Sequence, residues 1–269
     1  MYKIGWFSSG RGAGSRALLT TAMDNIMSGN VKAEISFVFC NREPGQAEET
    51  DKFHKLVASY NLPLVYYSSR SFEPELRKRD IDKWRNAYDR KVIESLKDYD
   101  ADLCVLAGYM LVTGSEMCRT FNQLNLHPAL PGGPKGTWKE VIWQLIDTKA
   151  RQTGAMMHLA TPELDEGPPV TYCGFSIRGP LFDRYWDEIA GKSVARIQSS
   201  DGEENNLFKT IRKYGLMREY PLIVTTIKAF SEGRVRIENG SIVDADGSVI
   251  KAYDLSAEID EGLQKEGLI

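Results

Sequence analysis

Apolar residues in the first 120 positions fall into short continuous runs, separated by longer stretches in which they recur at three- and four-residue intervals. The runs KIGWF, EISFVFC, LPLVYYS and ADLCVLAG have the length and near-unbroken hydrophobicity of strands covered on both faces. Between them, SRALLTTAMDNIMSG and AEETDKFHKLVASYN read as amphipathic helices, the first closed by Gly29. The charged stretch from Phe72 to Tyr99 predicts one or two surface helices, and QLNLHP a fifth strand. This alternation predicts an α/β protein with a Rossmann-like, open, mostly parallel twisted sheet and helices on both faces.

The pattern changes after Trp138. WKEVIWQLIDTKA is helical, and TGAMMHLATPELDEGPPVTYCGFSI reads as two extended runs joined by a turn at Asp165 to Pro169. Residues 183–206 are rich in charge, glycine and serine and predict an insertion. NNLFKTIRKYGLMREYPLIVTTIKAFSEG predicts a helix broken near Tyr220-Pro221, because proline disfavours helical backbone at the residue before it. ENGS is a hairpin signal. The expected organisation is one α/β domain over 1–232 with the insertion inside it, then a C-terminal β-hairpin and tail over 233–269 as an extra extension.

A chain of 269 residues is long enough for a large core without disulfide or metal staples. The formal net charge of -3 and the absence of long like-charge runs give no general attraction for nucleic acid, which is not an expected partner. Cys40, Cys104, Cys118 and Cys173 are far apart in sequence and imply neither a zinc cluster nor a disulfide framework. No stretch is apolar enough for a signal peptide or membrane span, so a cytoplasmic location without a membrane partner is expected. Oligomeric state is left open, with a homodimer among the expected forms.

Candidate chemistry sits at strand ends. SSGRGAGS follows the first strand and opens the first helix; Gly10, Gly12 and Gly14 permit close backbone approach, and the helix start offers amide N–H groups to a phosphate. A dinucleotide fingerprint would have glycine at Ser15 and an acid at the end of strand two, where Asn41 and Arg42 stand. NAD is therefore disfavoured and NADP only slightly better placed through Arg42. A phosphate of a smaller substrate fits as well or better; a tight strand-to-helix turn with no ligand, or a non-catalytic NADP- or nucleotide-binding module, is the alternative.

In NLHPALPGGPKGTW, Asn125 and His127 leave the same face of a strand before a turn stiffened by proline and glycine. HLATPELDEGPP adds His158 and Asp165. An asparagine can donate to an oxygen gaining negative charge in acyl transfer, and an aspartate near a histidine orients its ring. Taken singly, each is more commonly a core or turn residue. No GxSxG elbow or paired cysteine suggests a covalent acyl-enzyme, and His127, His158 and Asp165 lack a recognised metal-ligand spacing. His54, within a helical pattern, reads as structural.

The segments SSGRGAGSRALL, LAGYM, NLHPALPGG and HLATPELDEGPP, in this order, resemble the folate-dependent formyltransferases over about residues 1–180, and again around EYPLIVTTIKAFSEG. Within that family the likeness is strongest to the branch acting on glycinamide ribonucleotide in purine synthesis. The resemblance implies an enzyme of one-carbon metabolism with 10-formyltetrahydrofolate as co-substrate, no metal, and a small phosphorylated amine as acceptor. It implies catalytic roles for Asn125, His127 and Asp165. Gly10, Arg11, Gly12, Ala13, Gly14 and Ser15 would hold the substrate phosphate. Leu106, Tyr109, Met110, Leu111 and Val112, with Thr161 and Glu163 in the turn from Thr161 to Pro168, would form the folate walls. Sugar-amine and tRNA formyltransferases, and a hydrolase of formyltetrahydrofolate, are the alternatives inside the family. Leu111 stands where the family has arginine, GGPKG where it has a second leucine and proline, and Leu216 where it has a glutamate near the ribose.

Overall fold

A computed structural model describes residues 1–163 and 166–269. In chain order its strands are β1 (Tyr2–Ser8), β2 (Ala33–Cys40), β3 (Leu64–Tyr66), β4 (Leu103–Leu106), β5 (Gln123–His127), β6 (Gln152–Leu159), β7 (Pro169–Ser176), β8 (Val235–Glu238), β9 (Ser241–Asp244) and β10 (Tyr253–Asp254). The helices of the first half are α1 (Ala13–Met27), α2 (Glu48–Ser59), α3 (Pro74–Arg79), α4 (Ile81–Ser95) and α5 (Ser115–Thr120). Those of the second half are α6 (Trp138–Asp147), α7 (Asp183–Glu188), α8 (Val194–Ser200), α9 (Asn206–Ser231) and α10 (Ser256–Lys265). One sheet has the order β10-β7-β6-β5-β4-β1-β2-β3, and β8 pairs with β9 in a separate hairpin. Pairing of β1 with β2 and β4, of β2 with β3, and of β4 with β5 is parallel, the Rossmann-like arrangement expected from the alternating pattern.

The chain folds as two compact units. The first comprises Met1–Asn125, His158–Pro168 and Ile227–Val249, and the second Leu126–Met157, Pro169–Thr226 and Ile250–Ile269.

In the first unit, β1 is buried from Ile4 onward, and Phe7 stands in register with Leu106 of β4, which in turn faces Asn125 of β5. The carboxyl ends of three parallel strands are thereby brought level. Behind them Phe7, Phe37, Phe39, Trp84, Tyr88 and Tyr109 form an aromatic core, with Trp84 and Tyr88 stacked at 5.1 Å. Asp80 caps α4 by accepting from the Lys83 N–H, which separates it from α3 and turns the charged stretch into two helices. The β8–β9 hairpin turns at Asn239 and Gly240, both with positive φ as a type I′ turn requires.

In the second unit, Val141, Ile142, Leu145 and Ile146 of α6 pack with Phe182, Trp186, Ile197, Leu207, Phe208 and Ile211. The stretch 183–206 thus contributes helices and buried side chains to this core. Trp186 lies under the Arg178 guanidinium at 3.7 Å and donates its indole N–H to the Ile177 carbonyl at 2.7 Å. Local composition is polar there because each short helix buries only one side.

The expected break at Tyr220-Pro221 does not occur: α9 continues through Pro221. A proline inside a helix costs about 3 kcal/mol, whereas full burial of each large aliphatic side chain contributes about 1.5–3 kcal/mol. Leu222, Ile223 and Val224, all buried immediately after the proline, outweigh the lost hydrogen bond. The C-terminal tail is also more ordered than its sequence pattern suggests. Tyr253 pairs with Thr171 of β7, and α10 buries Ile259 and Leu263 one turn apart. Among the described residues no helix is long and apolar enough to cross a membrane.

Candidate active site

In the first unit the glycine loop rises from β1 with Gly10 at φ +55, a left-handed conformation, and a Cβ there would press against the Phe53 ring at 3.2 Å. Thr50 donates its hydroxyl to the Gly10 carbonyl at 3.2 Å, tying the loop to α2. Gly12 is extended and precedes α1, whose first turn has neither a side-chain cap nor an acidic residue. Ala13, Gly14 and Ser15 are themselves the first residues of the helix, so their amides point out of its electropositive end. Arg11 and Ala13 are exposed, while Ser15 is buried.

Past β4 the chain turns beside this loop. Met110 N–H donates to Ser9 Oγ at 2.9 Å and Ser9 N–H to the Gly108 carbonyl at 3.1 Å. Leu106 and Tyr109 turn their side chains into the aromatic core, which leaves their backbone as the surface they offer. Met110 is exposed, and Leu111 and Val112 are half-buried. The segment ends at Gly114, whose N–H donates to the buried carboxylate of Asp89 at 2.5 Å. On the other side, Ala160 N–H donates to the Gln123 carbonyl at 2.7 Å, and Thr161 donates its hydroxyl to the Glu163 carbonyl at 2.9 Å. Gly167 closes this loop where a Cβ would lie 1.6 Å from the Leu159 carbonyl oxygen, so only glycine fits. Asp165 lies outside the described residues.

Asn125 Nδ2 is 3.2 Å from His158 Nε2, and His158 Nδ1 is 3.2 Å from the Leu159 carbonyl oxygen. A carbonyl only accepts, so the His158 proton sits on Nδ1 and its Nε2 accepts from the Asn125 amide. The amide plane of Asn125 is held in this way in the middle of β5. Two residues on, His127 Nε2 donates to the Pro134 carbonyl at 2.9 Å, so the proline-glycine turn orients the imidazole of the strand that leads into it. His54 is stacked on Tyr66 at 5.8 Å, and burial lowers its pKa. All four thiols are pushed upward by burial, Cys40 to about 11 and Cys173 to about 12, which disfavours the thiolate. Among the described residues no three His, Cys, Asp or Glu side chains are grouped to hold a metal ion.

The sequence profile of the family described as formyl transferase matches residues 3–177. The chain belongs to the formyl transferase family. Phosphoribosylglycinamide formyltransferase of Escherichia coli (strain K12) is 26% identical over 243 residues, covering 88% of this chain and 91% of that protein. Formyltetrahydrofolate deformylase of Bacillus subtilis (strain 168) is 25% identical over 222 residues, covering 80% of this chain and 57% of that protein. Among solved structures, the phosphoribosylglycinamide formyltransferase of Coxiella burnetii superposes with a TM-score of 0.66 at 18% identity, covering 94% of this chain and 98% of that one, a likeness of fold. This formyl transferase is a folate-dependent enzyme of formyl-group transfer, and the reading as a non-catalytic nucleotide-binding module is set aside.

Two features of this formyl transferase went unread in the sequence. The sequence sets His158 beside Asp165, whereas its bond to Asn125 emerges only from β5 and β6 being neighbours in the sheet. The second is a pocket of about 300 Å³ in the first unit, at the carboxyl ends of β1 to β4, lined by Arg11, Arg42, Arg70 and Arg77 together with Ser9, Asn41, Ser69 and Met110.

Proposed function

We propose that this enzyme moves the formyl group of 10-formyltetrahydrofolate to the amine of a small phosphorylated acceptor, glycinamide ribonucleotide being the first to test. The observation that supports it most directly is the fixed amide of Asn125 on β5, held by His158. In this reading the acceptor amine attacks the formyl carbon, and the carbonyl oxygen becomes an oxyanion beside the Asn125 amide and the His127 imidazole. A carbon–nitrogen bond to the acceptor forms, the bond to N10 of the folate breaks, and the proton lost by the amine passes to N10 through water held by Asp165. The capless start of α1 takes the acceptor phosphate on its amides. The backbone of Leu106 and Tyr109, the side chains of Met110, Leu111 and Val112, and the turn carrying Thr161 and Glu163 form the folate walls.

Hydrolysis, with water in place of the amine, is the second reading, favoured by the deformylase relative. Incubation of the purified protein with both substrates decides between them. Formylated acceptor and tetrahydrofolate in equal amounts support transfer, free formate independent of acceptor supports hydrolysis, and neither product from a panel of phosphorylated amines overturns both.

A further inference from the structure

The arginine-lined pocket of the first unit is larger in charge than one phosphate monoester requires. Arg11 comes from the glycine loop, Arg42 follows β2, Arg70 follows β3 and Arg77 lies on α3. Among the described residues that line it none is acidic, and Ser9, Asn41, Gln46 and Ser69 add neutral hydrogen-bonding groups. Arg77 is fixed, its guanidinium 4.4 Å above the Trp84 ring and donating to the Ser69 carbonyl at 3.1 Å. The α3 helix that carries it is entered through Glu73 at φ +37, a left-handed conformation that a non-glycine side chain adopts at a cost of about 1 kcal/mol or more. The other three guanidiniums make no side-chain hydrogen bond or ion pair among the described residues; Glu43, next to Arg42, accepts instead from the Ser68 N–H at 3.4 Å, Glu49 pairs with Arg16 and Asp51 accepts from the Gly45 N–H. Forked guanidiniums without internal partners suit oxyanions that accept two bonds at a time.

The pocket adjoins the glycine loop, because Ser9 and Arg11 on either side of Gly10 line it. A first phosphate on the α1 amides would therefore stand next to the four guanidiniums. We propose that this pocket is a subsite for a second phosphoryl group on the acceptor, so that the preferred acceptor is an amine bearing a diphosphate or two neighbouring phosphates. The inference rests on the formyl-transfer reading and narrows its acceptor class: a monoester such as glycinamide ribonucleotide fills the loop and leaves the guanidiniums unpaired.

Calorimetry on the whole protein with inorganic pyrophosphate, inorganic phosphate and tri-γ-glutamate tests the subsite apart from activity. Pyrophosphate is expected to bind more tightly than phosphate, and Arg42→Ala and Arg70→Ala to weaken it at least about tenfold each, the range for a lost charge-assisted bond. Arg→Lys variants keep the charge but lose the fork, and should fall between. Neither arginine side chain is bonded within the described fold, so the melting temperature should stay unchanged in both. Pyrophosphate binding indifferent to both substitutions, or binding no tighter than that of phosphate, would overturn the subsite. Arginine-dependent binding of tri-γ-glutamate without pyrophosphate would overturn it in favour of the carboxylate tail of the donor. If pyrophosphate binding follows the arginines while no phosphorylated amine is formylated, the subsite stands and the acceptor reading falls.

Discussion

Asp89 offers a sharp test because its burial and its hydrogen bond act in opposite directions. The side chain is 2% exposed, and its Oδ2 accepts from the Gly114 N–H at 2.5 Å where the segment 106–114 returns to α5. Burial raises its pKa from 3.8 to about 6, against the Gly114 bond and the charge of Arg85, which lower it, and with the charge of Glu116, which raises it. Between these two values the folded protein keeps a proton that the unfolded chain gives up. Stability contributed by this group is therefore complete below about pH 4, declines as pH rises toward 6, and is flat above. A shift of about two units corresponds to about 3 kcal/mol, an upper figure because water admitted to the site softens the penalty.

Asp89→Asn keeps an oxygen for the Gly114 N–H and removes the ionisation. The variant should equal the wild type near pH 4 and exceed it by up to about 3 kcal/mol at pH 7.5. Exposed carboxylates with lowered pKa, such as Glu49 and Glu140, titrate in both proteins and cancel in the difference. Urea unfolding at half-unit pH intervals supplies the two curves. Parallel curves from pH 4 to 7.5 would refute the reasoning, since they would mean that the carboxyl ionises in the fold as freely as in the unfolded chain.

Three further outcomes follow from the same structure. Asn125→Ala should lower kcat for formyl transfer about 100- to 1000-fold, the usual loss of one oxyanion donor, with little change in folate KM; His158→Ala, which removes one partner of the Asn125 amide, should lower kcat less, with steady-state kinetics reading both. Gly154→Ala places a Cβ 2.1 Å from the Cys173 carbonyl oxygen and 2.8 Å from Leu130 Cδ2, so β6 and β7 must part, and a loss of about 3 kcal/mol or more is expected in chemical denaturation. Asp260→Ala removes the acidic partner of Arg218, a residue only 4% exposed and bonded to Asp260 at 2.8 and 3.1 Å; because Asp260 itself is about one-third exposed, about 1–3 kcal/mol should be lost, less than for a fully buried pair, with protease cleavage in α10 as the readout.

What the sequence disclosed about fold and site depended on whether the cause was local. The strands β1, β2 and β4 were legible because a buried parallel strand is apolar along most of its length, and β5, which carries Asn125 and His127, followed from its place after them in the alternating pattern. Pro221 was misread by the same logic, since a steric rule between neighbours says nothing of the three buried aliphatic residues that follow it. The helix α10 carried its signal in Ile259 and Leu263, four apart, but ten residues of mostly polar sequence bury too little to stand out from a loop. The arginine pocket had no local cause at all. Positions 11, 42 and 70 are each separated by a helix and a strand, with 77 following 70 by seven residues on α3, and the parallel pairing of β1, β2 and β3 brings the strand ends to one edge. That pairing turns spacing into chemistry: in a parallel sheet every strand delivers its next residue to the same side. A basic residue soon after each of three successive strands is therefore one cluster in space, and a cluster without acids answers to an anion from outside the chain.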